Sequence, residues 1–217
     1  MSYPYLCLSA SGGHSSFFLV KSPCDFELLG ETVDDAAGEA YDKVGKLLDL
    51  PYPGGPEIEK LAAVVANQDF FKYPRNKNKK SLQLSFSGLK TAVLYSLVKN
   101  KAYTQDFKPI ESMLTLELQQ KVASSFQVAV ADIFEQKLTL ALTRYPLVES
   151  LALVGGVSCN KYIAARLSDL AARHGKEFFF PPREFCTDNG AMIALATYFL
   201  HQAGVEHNFS EIDLSKA

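Results

Sequence analysis

The stretch SLALVGGVSCNKYI, residues 150–163, decides the fold that the sequence predicts. Its first five residues are an apolar run typical of a buried strand, and a helix is predicted over residues 160–174. Between them, Gly155-Gly156 would let a ligand approach the backbone, and the helix start would offer N–H donors to a nucleotide. A plain strand-to-helix turn, capped by Ser158 or Asn160, explains the same residues equally well.

Three short strands are predicted near the N-terminus because each apolar run is bounded by turn residues: Tyr5–Ala10, Ser15–Val20 and Phe26–Glu31. The turn between the first two strands is Ser11-Gly12-Gly13-His14. Its two glycines would let backbone N–H groups converge on an anion such as a phosphate. By spacing alone, a plain hairpin turn is the simpler interpretation.

The rest of the pattern is mostly helical. Helical periodicity and helix-start signals are found in five segments: from about Asp34, over Glu57–Ala66 opened by Pro56, over Ser87–Lys99, over Met113–Tyr145, and from about Asp188 to Gly204. A strand is predicted over Glu177–Phe180. The element order is β-β-β-α, a helical insertion at about 56–146, then β-α-β-α. This order predicts a single α/β lobe over residues 1–217, of the actin-like ATPase (ASKHA, ribonuclease H-like) fold. Such proteins have two lobes around a nucleotide cleft, and function has to be argued from the site.

Acidic side chains supply candidate ligands for a metal or a ribose. Asp35, Glu39 and Asp42 fall at i, i+4 and i+7, so the predicted first helix would carry them on one face, although a solvated helix face explains this row about as well. Asp188 lies at the predicted start of the last helix, where a carboxylate holds a metal or, more simply, caps the helix. Ser85–Lys90 is interpreted as a helix start with a serine cap. The histidines form no pair spaced for zinc.

Charge and composition narrow the classes of partner. The formal net charge is −2 and the sequence pI is about 6.1, so nucleic acid would have to bind a local patch or a partner subunit. The segment Lys72–Lys80 holds five lysine or arginine residues and is the local candidate, although a solvated loop is the simpler interpretation. No stretch has the length and apolarity of a membrane span or a signal peptide, and the four cysteines are scattered. We therefore expect a cytoplasmic protein with reduced thiols and no membrane contact.

Five ordered blocks together carry a family resemblance: SGGHS (11–15), LLGETVDDAAGEAYDKVGKLLDLPYPGGP (28–56), SFSGLKTAV (85–93), LVGGVSCNKYI (153–163) and EFCTDNGAMIA (184–194). They resemble the TsaD-type tRNA adenosine threonylcarbamoyltransferases, once described as O-sialoglycoprotein endopeptidases, over almost the whole chain. The resemblance implies an actin-like fold that binds threonylcarbamoyl-adenylate and a metal. It also implies transfer of the threonylcarbamoyl group to the exocyclic amine of an adenine in the tRNA anticodon loop.

The resemblance further implies roles for individual residues. The loop of Ser9, Ala10, Ser11, Gly12 and Gly13 would bind the phosphate region of the substrate, and no catalytic acid or base is implied in this chain. Asp42, Gly55 and Asn160 would contact the adenylate. Asp188 would be a metal ligand. The implied cofactors are an adenylate or ATP-type nucleotide and a divalent metal, iron or zinc. The implied partners are threonylcarbamoyl-adenylate, tRNA bound through the full complex, a paralogous subunit and an ATPase subunit.

The sequence departs from the family pattern in two respects. The family's N-terminal lobe, which has its own phosphate loop and an H-x-x-x-H helix with two histidine ligands, is not found in this chain, so Asp188 is left as a lone ligand. Ser9-Ala10-Ser11 also differs from the usual hydrophobic pair before the glycines. We therefore expect a truncated or split family member that folds but catalyses poorly alone, and that self-associates through its exposed cleft face. The alternative function is a non-catalytic scaffold subunit of the same modification complex.

Overall fold

The structure, a computed structural model, describes residues 2–75, 78 and 80–205. Its described part contains a five-stranded sheet of order β3-β2-β1-β4-β5. The strands are β1 (Tyr5–Ala10), β2 (Ser15–Ser22), β3 (Asp25–Glu31), β4 (Ser150–Val154) and β5 (Glu177–Phe179). β2 is antiparallel to both β1 and β3, whereas β4 is parallel to both β1 and β5. A hairpin pair joined to parallel crossovers is the α/β topology that the sequence predicts, and the actin-like fold class is confirmed.

The same described residues form α-helices in the predicted order. They are α1 (Ala37–Leu47), α2 (Gly54–Val64), α3 (Ser87–Lys99), α4 (Leu116–Arg144), α5 (Lys161–Arg173) and α6 (Gly190–Gln202). Gly175 follows α5 with φ +66°, the left-handed conformation that glycine adopts at a helix end. In the part of the chain that the structure describes, no helix has the length and apolar composition needed to cross a bilayer.

One hydrophobic core cluster joins the sheet to the helices. Leu6 and Leu8 of β1 and Leu151 and Leu153 of β4 point to the same sheet face and are almost completely buried. α4 belongs to the same core cluster and buries residues on most of its circumference, which include Phe126. Each fully buried leucine or phenylalanine stabilises the fold by about 1.5–3 kcal/mol relative to an exposed one. The helices between β3 and β4 therefore share the core of the sheet.

The start of α2 differs from the prediction. The sequence predicts that Pro56 opens this helix, but α2 begins at Gly54, with Pro53 as its N-cap residue. The Gly54 N–H donates to Asp42 Oδ1 at 2.8 Å, so a carboxylate on α1 takes up a donor that a helix start normally leaves unpaired. A partner on another helix decides this boundary, and local turn signals could not indicate it.

In the basic segment before α3, Arg75 is held by the protein, whereas Lys72 and Lys80 are exposed as in the predicted solvated loop. Arg75 pairs with Asp69 at 2.9 Å and with Asp132 on α4 at 2.6 Å, so its guanidinium is engaged within the protein. The buried Lys137 ammonium donates to the carbonyls of Asn78 and Ser81 at 2.7 and 2.6 Å. Burial, and then the nearby Arg144, lowers the pKa of Lys137. The candidate nucleic-acid residues Lys77 and Lys79 lie outside the described residues.

Asp34 caps α3 from another part of the chain. It precedes α1 rather than opening it, and its carboxylate accepts hydrogen bonds from the Ser85 hydroxyl, from Phe86 N–H at 2.8 Å and from the Ser87 hydroxyl at 2.8 Å. The predicted serine cap is therefore wrong, since the serines donate to Asp34. Burial alone would raise the pKa of Asp34, but these hydrogen bonds outweigh it and the net shift is downward.

Asp34→Asn is expected to lower the free energy of unfolding by about 1 kcal/mol at neutral pH. The folded-state pKa of Asp34 lies below its unfolded value of about 3.9, so its contribution is present above that value and is lost as the pH falls through the folded pKa. Urea unfolding at neutral pH and at pH about 3 measures the difference between wild type and variant. The difference should shrink on acidification.

Asp106→Asn is the matched control, because Asp106 is an exposed carboxylate and no described residue donates a hydrogen bond to it. Its unfolding free energy should match that of wild type at both pH values. A difference between wild type and Asp34→Asn that is the same at both pH values would show that the carboxylate charge contributes nothing.

Candidate functional site

The turn after β1 is a tight hairpin tip, as predicted. Ser11 N–H donates to His14 O at 2.8 Å, and Ser11 Oγ accepts from Gly13 N–H at 3.3 Å and from His14 N–H at 3.1 Å. The Ser11 hydroxyl thus occupies two of the backbone donors that were expected to converge on an anion. The sequence alone could not show that this serine binds its own turn.

Three glycines bring the elements around this turn into contact. A Cβ on Gly38 of α1 would lie 2.7 Å from Ser11 O, and a Cβ on Gly155 would lie 2.4 Å from Ala10 O. A Cβ on Gly54 of α2 would lie 2.7 Å from Tyr41 O on α1. These contacts place the start of α1 and the diglycine turn after β4 directly against the end of β1. The two glycine turns that the sequence singled out therefore meet at the carboxyl edge of the parallel strands, where open α/β sheets bind ligands.

Four other glycines at this edge have open space beside them. At Gly12, Gly13, Gly55 and Gly156, an added Cβ would meet no atom within 4 Å, and none of the four has a positive φ. Neither packing nor backbone conformation within the described residues requires a glycine at these positions. A residue without a side chain leaves room for a ligand to approach the main chain closely.

Asp42 stands apart from the other acids of its predicted row. Asp35 lies before α1 rather than on it, and Lys43 Nζ pairs with Asp35 at 2.6 Å and with Glu39 at 2.9 Å. The predicted row of three carboxylates on one helix face is therefore wrong. Asp42 instead accepts the Gly54 N–H, beside Gly55, and faces a cavity of about 370 Å³ whose lining includes Tyr52.

Asn160 is confirmed as the cap of α5. Its Oδ1 accepts from Ile163 N–H at 2.9 Å and its Nδ2 donates to Gln127 Oε1 at 2.8 Å, while only 7% of the residue is exposed. Both ends of the amide are thus engaged in holding α5 against α4. A contact between Asn160 and the adenylate stays a prediction.

Glu59 is a residue that the sequence analysis did not single out. It lies on α2, and its Oε1 accepts the Lys161 N–H in the first turn of α5 at 2.7 Å. A carboxylate at a helix N-terminus takes the position that a phosphate would otherwise favour. The start of α5 is therefore less open to an anion than the sequence predicts. No local signal points to Glu59, because the bond joins residues 102 positions apart.

Asp188 does not cap α6, in contrast to the simpler prediction. The N-cap residue is Asn189, whose Oδ1 accepts from Met192 N–H at 2.9 Å, and the Asp188 carboxylate is left exposed in the preceding turn. That turn is tied to the diglycine turn because the Ser158 hydroxyl lies 3.1 Å from Cys186 Sγ and 2.7 Å from Gly155 O. The turn that carries Asp188 therefore begins beside the diglycine turn.

The residues around Asp188 do not form a metal centre by themselves. Among residues 2–75, 78 and 80–205, no three His, Cys, Asp or Glu side chains are grouped so that they could hold a metal ion. Iron and zinc sites in proteins need several protein ligands. The described residues therefore do not fit the implied metal, and Asp188 offers one carboxylate.

Sequence comparison gives an independent view of the chain. A family profile for tRNA N6-adenosine threonylcarbamoyltransferases (TsaD) matches residues 1–195. Proteins of that name are similar at 44% identity over 93% of this chain in Thermosipho africanus, 45% over 89% in Chromobacterium violaceum, and 41% over 99% in Francisella tularensis subsp. mediasiatica. This chain spans 57%, 54% and 60% of the lengths of those three relatives.

A solved structure also shows a likeness in fold. It is the activator of the 2-hydroxyisocaproyl-CoA dehydratase from Clostridium difficile with bound ADPNP, at a TM-score of 0.49 and 14% identity. The match covers 96% of this chain and 66% of the activator.

Proposed function

The chain belongs to the tRNA N6-adenosine threonylcarbamoyltransferase family, and from this premise we propose that it binds the adenylate in the synthesis of threonylcarbamoyladenosine in tRNA. In this proposal it is the adenylate-binding lobe, and the donor is threonylcarbamoyl-adenylate. The observation that carries the proposal is the open space beside Gly12, Gly13, Gly55 and Gly156, which no described residue fills. Such space suits a ligand that lies along the main chain.

The spacing of the site along α1 supports an adenylate in particular. Gly38, against the Ser11–Gly13 turn, and Asp42, beside Gly55, are four residues apart on the same helix, which is roughly 6 Å of rise. We propose that the phosphate lies at the turn and that a ribose hydroxyl donates to Asp42. A phosphate and the ribose of one nucleotide fit this separation.

The proposed reaction is an acyl transfer. The exocyclic N6 amine of the tRNA adenosine attacks the carbamoyl carbon, an N–C bond forms, the C–O bond to the phosphate breaks, and AMP leaves with its electron pair while the amine loses a proton. This chain would hold the phosphate and the ribose so that the carbamoyl carbon stays within reach of the amine. We assign it no catalytic acid or base, and no step is routed through a metal.

The partners of the reaction belong to the proposal. The substrate of the family is tRNA, so we propose a cytoplasmic location and tRNA binding through a larger complex that includes a paralogous subunit and an ATPase subunit. The chain's net charge of −2 supports shared binding, since it provides no strong field of its own for RNA. The engaged Arg75 guanidinium further reduces the basic segment that could contact RNA.

Gly55→Ala is expected to weaken the binding of an adenylate at least about tenfold, because a methyl group would fill the space in which the ligand approaches the main chain. The thermal unfolding midpoint should stay the same or rise slightly, since alanine is the better helix former in the first turn of α2. Isothermal titration calorimetry with a non-hydrolysable threonylcarbamoyl-adenylate analogue measures the affinity.

Gly88→Ala is the matched control. Gly88 lies in the first turn of α3, and an added Cβ there also meets no atom within 4 Å. Its variant should bind the analogue as wild type does. Failure of the wild-type chain to bind the analogue would contradict the proposed function and would favour the alternative of a non-catalytic scaffold subunit.

A further inference from the structure

Tyr52 is an aromatic residue that the core does not use. It lies between α1 and α2 and is 85% exposed, the largest exposed fraction among the described tyrosines and phenylalanines. A ring left in water adds little to the stability of the fold, whereas its flat face can stack on a flat ligand. Tyr52 therefore has an aromatic surface available for binding.

The segment that carries Tyr52 is fixed to α1 at both ends. Leu50 N–H donates to Gly45 O at 2.9 Å, and Gly54 N–H donates to Asp42 Oδ1 at 2.8 Å. A proline on each side of Tyr52 restricts the backbone further. A segment held in this way loses little backbone entropy when a ligand binds, so contact with the ring costs less free energy than contact with a mobile loop.

The cavity of about 370 Å³ beside Tyr52 lies along the face of α1 that carries Asp42. Its lining includes Asp42 and Lys46, which are four residues apart on one helix face, and residues 49–52. The phosphate position proposed above is at Gly38, about one turn before Asp42, whereas Lys46 is about one turn after it, roughly 6 Å of rise in each direction. Phosphate, ribose and base follow one another in this order in a nucleotide. The cavity therefore lies where the base of the proposed adenylate would be.

On the premise of the proposed function, from which the phosphate and ribose positions are taken, we propose that this cavity holds the adenine base and that the Tyr52 ring stacks on it. Leu50 and Pro51 also line the cavity and offer apolar surface to the base. Stacking on an aromatic side chain suits a base because every base has a flat π face. The volume of the cavity is within the range of small-molecule sites.

The charges of the lining favour a neutral base over a second phosphate group. Glu39, Asp42 and Asp49 contribute carboxylates, and Lys43 and Lys46 contribute ammonium groups, so the lining has no excess of positive charge. Lys43 is also paired with Glu39 at 2.9 Å. An anion would meet carboxylates that outnumber the cations, whereas a stacked base brings no charge into the cavity.

Calorimetry with the non-hydrolysable threonylcarbamoyl-adenylate analogue tests the role of Tyr52. Tyr52→Ala is expected to weaken binding at least about tenfold, since it removes the stacked ring, whereas Tyr52→Phe keeps the ring and should bind as wild type does. Tyr95→Ala is the matched control, because Tyr95 is 60% exposed but lies on α3, outside the cavity lining. Its affinity should equal that of wild type.

A second analogue, which ends at the ribose and has no base, separates stacking from a structural role of the segment. Wild type and Tyr52→Ala should bind it with equal affinity, because neither can stack on it. The chain has no tryptophan, so Tyr52→Trp would place a single indole fluorophore in the cavity. Its emission should be quenched by the analogue with a base and not by the analogue without one.

Absence of analogue binding by the wild-type chain would remove the proposed function and the stacking with it. If wild type binds the adenylate analogue and Tyr52→Ala binds it equally well, the stacking is overturned while the proposed function stands. An equal loss of affinity for both analogues in Tyr52→Ala would also overturn the stacking, since the ring would then support the segment rather than the base. Unchanged Tyr52→Trp emission in the complex with the adenylate analogue would overturn it as well.

Discussion

Gly155→Ala is expected to destabilise the fold by at least about 3 kcal/mol, the sum of a strained backbone and an overpacked contact. Gly155 has φ +88°, where a side chain is strained, and its Cβ would lie 2.4 Å from the Ala10 carbonyl oxygen. Neither β1 nor β4 can withdraw, because they pair directly with each other in the middle of the sheet. Thermal unfolding measures the loss, which should lower the midpoint by about 6 °C or more for a domain of this size.

Gly156→Ala is the matched control for stability. It is the next residue, its φ is not positive, and an added Cβ meets no atom within 4 Å. Its midpoint should stay within about 2 °C of wild type, which corresponds to roughly 0.5 kcal/mol. Equal midpoints for the Gly155→Ala and Gly156→Ala variants would show that the diglycine turn is not pressed against β1.

Gly38→Ala is expected to weaken adenylate binding by about 100-fold while the chain stays folded. A Cβ at this position would lie 2.7 Å from Ser11 O and 2.8 Å from both N and Cα of Gly12, all of them backbone atoms of the glycine turn. The turn would have to move away from α1, and with it the backbone proposed to hold the phosphate. The cost of overpacking, about 1–3 kcal/mol, is partly offset by the helix propensity of alanine, about 1 kcal/mol.

The Gly38→Ala variant should lose adenylate affinity without losing its fold, so the two quantities are measured separately. Calorimetry with the adenylate analogue should report the large loss of affinity, while circular dichroism at the same temperature should report a folded chain. Gly88→Ala, a helical glycine with open space around it, should change neither quantity. Wild-type affinity in the Gly38→Ala variant would contradict a phosphate site at the Ser11–Gly13 turn.

Elements whose ends are set by local residues could be predicted closely from the sequence. β1, α3 and β4 have the predicted bounds, Tyr5–Ala10, Ser87–Lys99 and Ser150–Val154. Strand alternation, helical periodicity and turn residues are short-range signals, so they are present in the sequence itself. The diglycine turn after β4 and the cap at Asn160 were predictable for the same reason.

Helix starts that depend on distant residues were predicted less well. α2 begins at Gly54 because Asp42, on another helix, accepts its N–H, and the start of α3 is held by Asp34, 52 positions before Phe86. At α6 the sequence predicted Asp188 as the cap. The cap is its neighbour Asn189, whose backbone is extended and whose side chain accepts a hydrogen bond from the Met192 N–H. Adjacent residues that can both cap a helix are separated only by the path of the backbone.

The sequence by itself determined the family, the order of the strands and helices, and the glycine-rich turns from which a nucleotide site could be expected. Only the tertiary structure decided which glycines are held in contact by packing, as at Gly38 and Gly155, and which have open space, as at Gly13 and Gly55. It also decided that Glu59 occupies the start of α5 and that α6 has no cover. The physical reason is that local patterns record the conformation of neighbouring residues, whereas close approach, pairing and exposure depend on residues far apart in the chain.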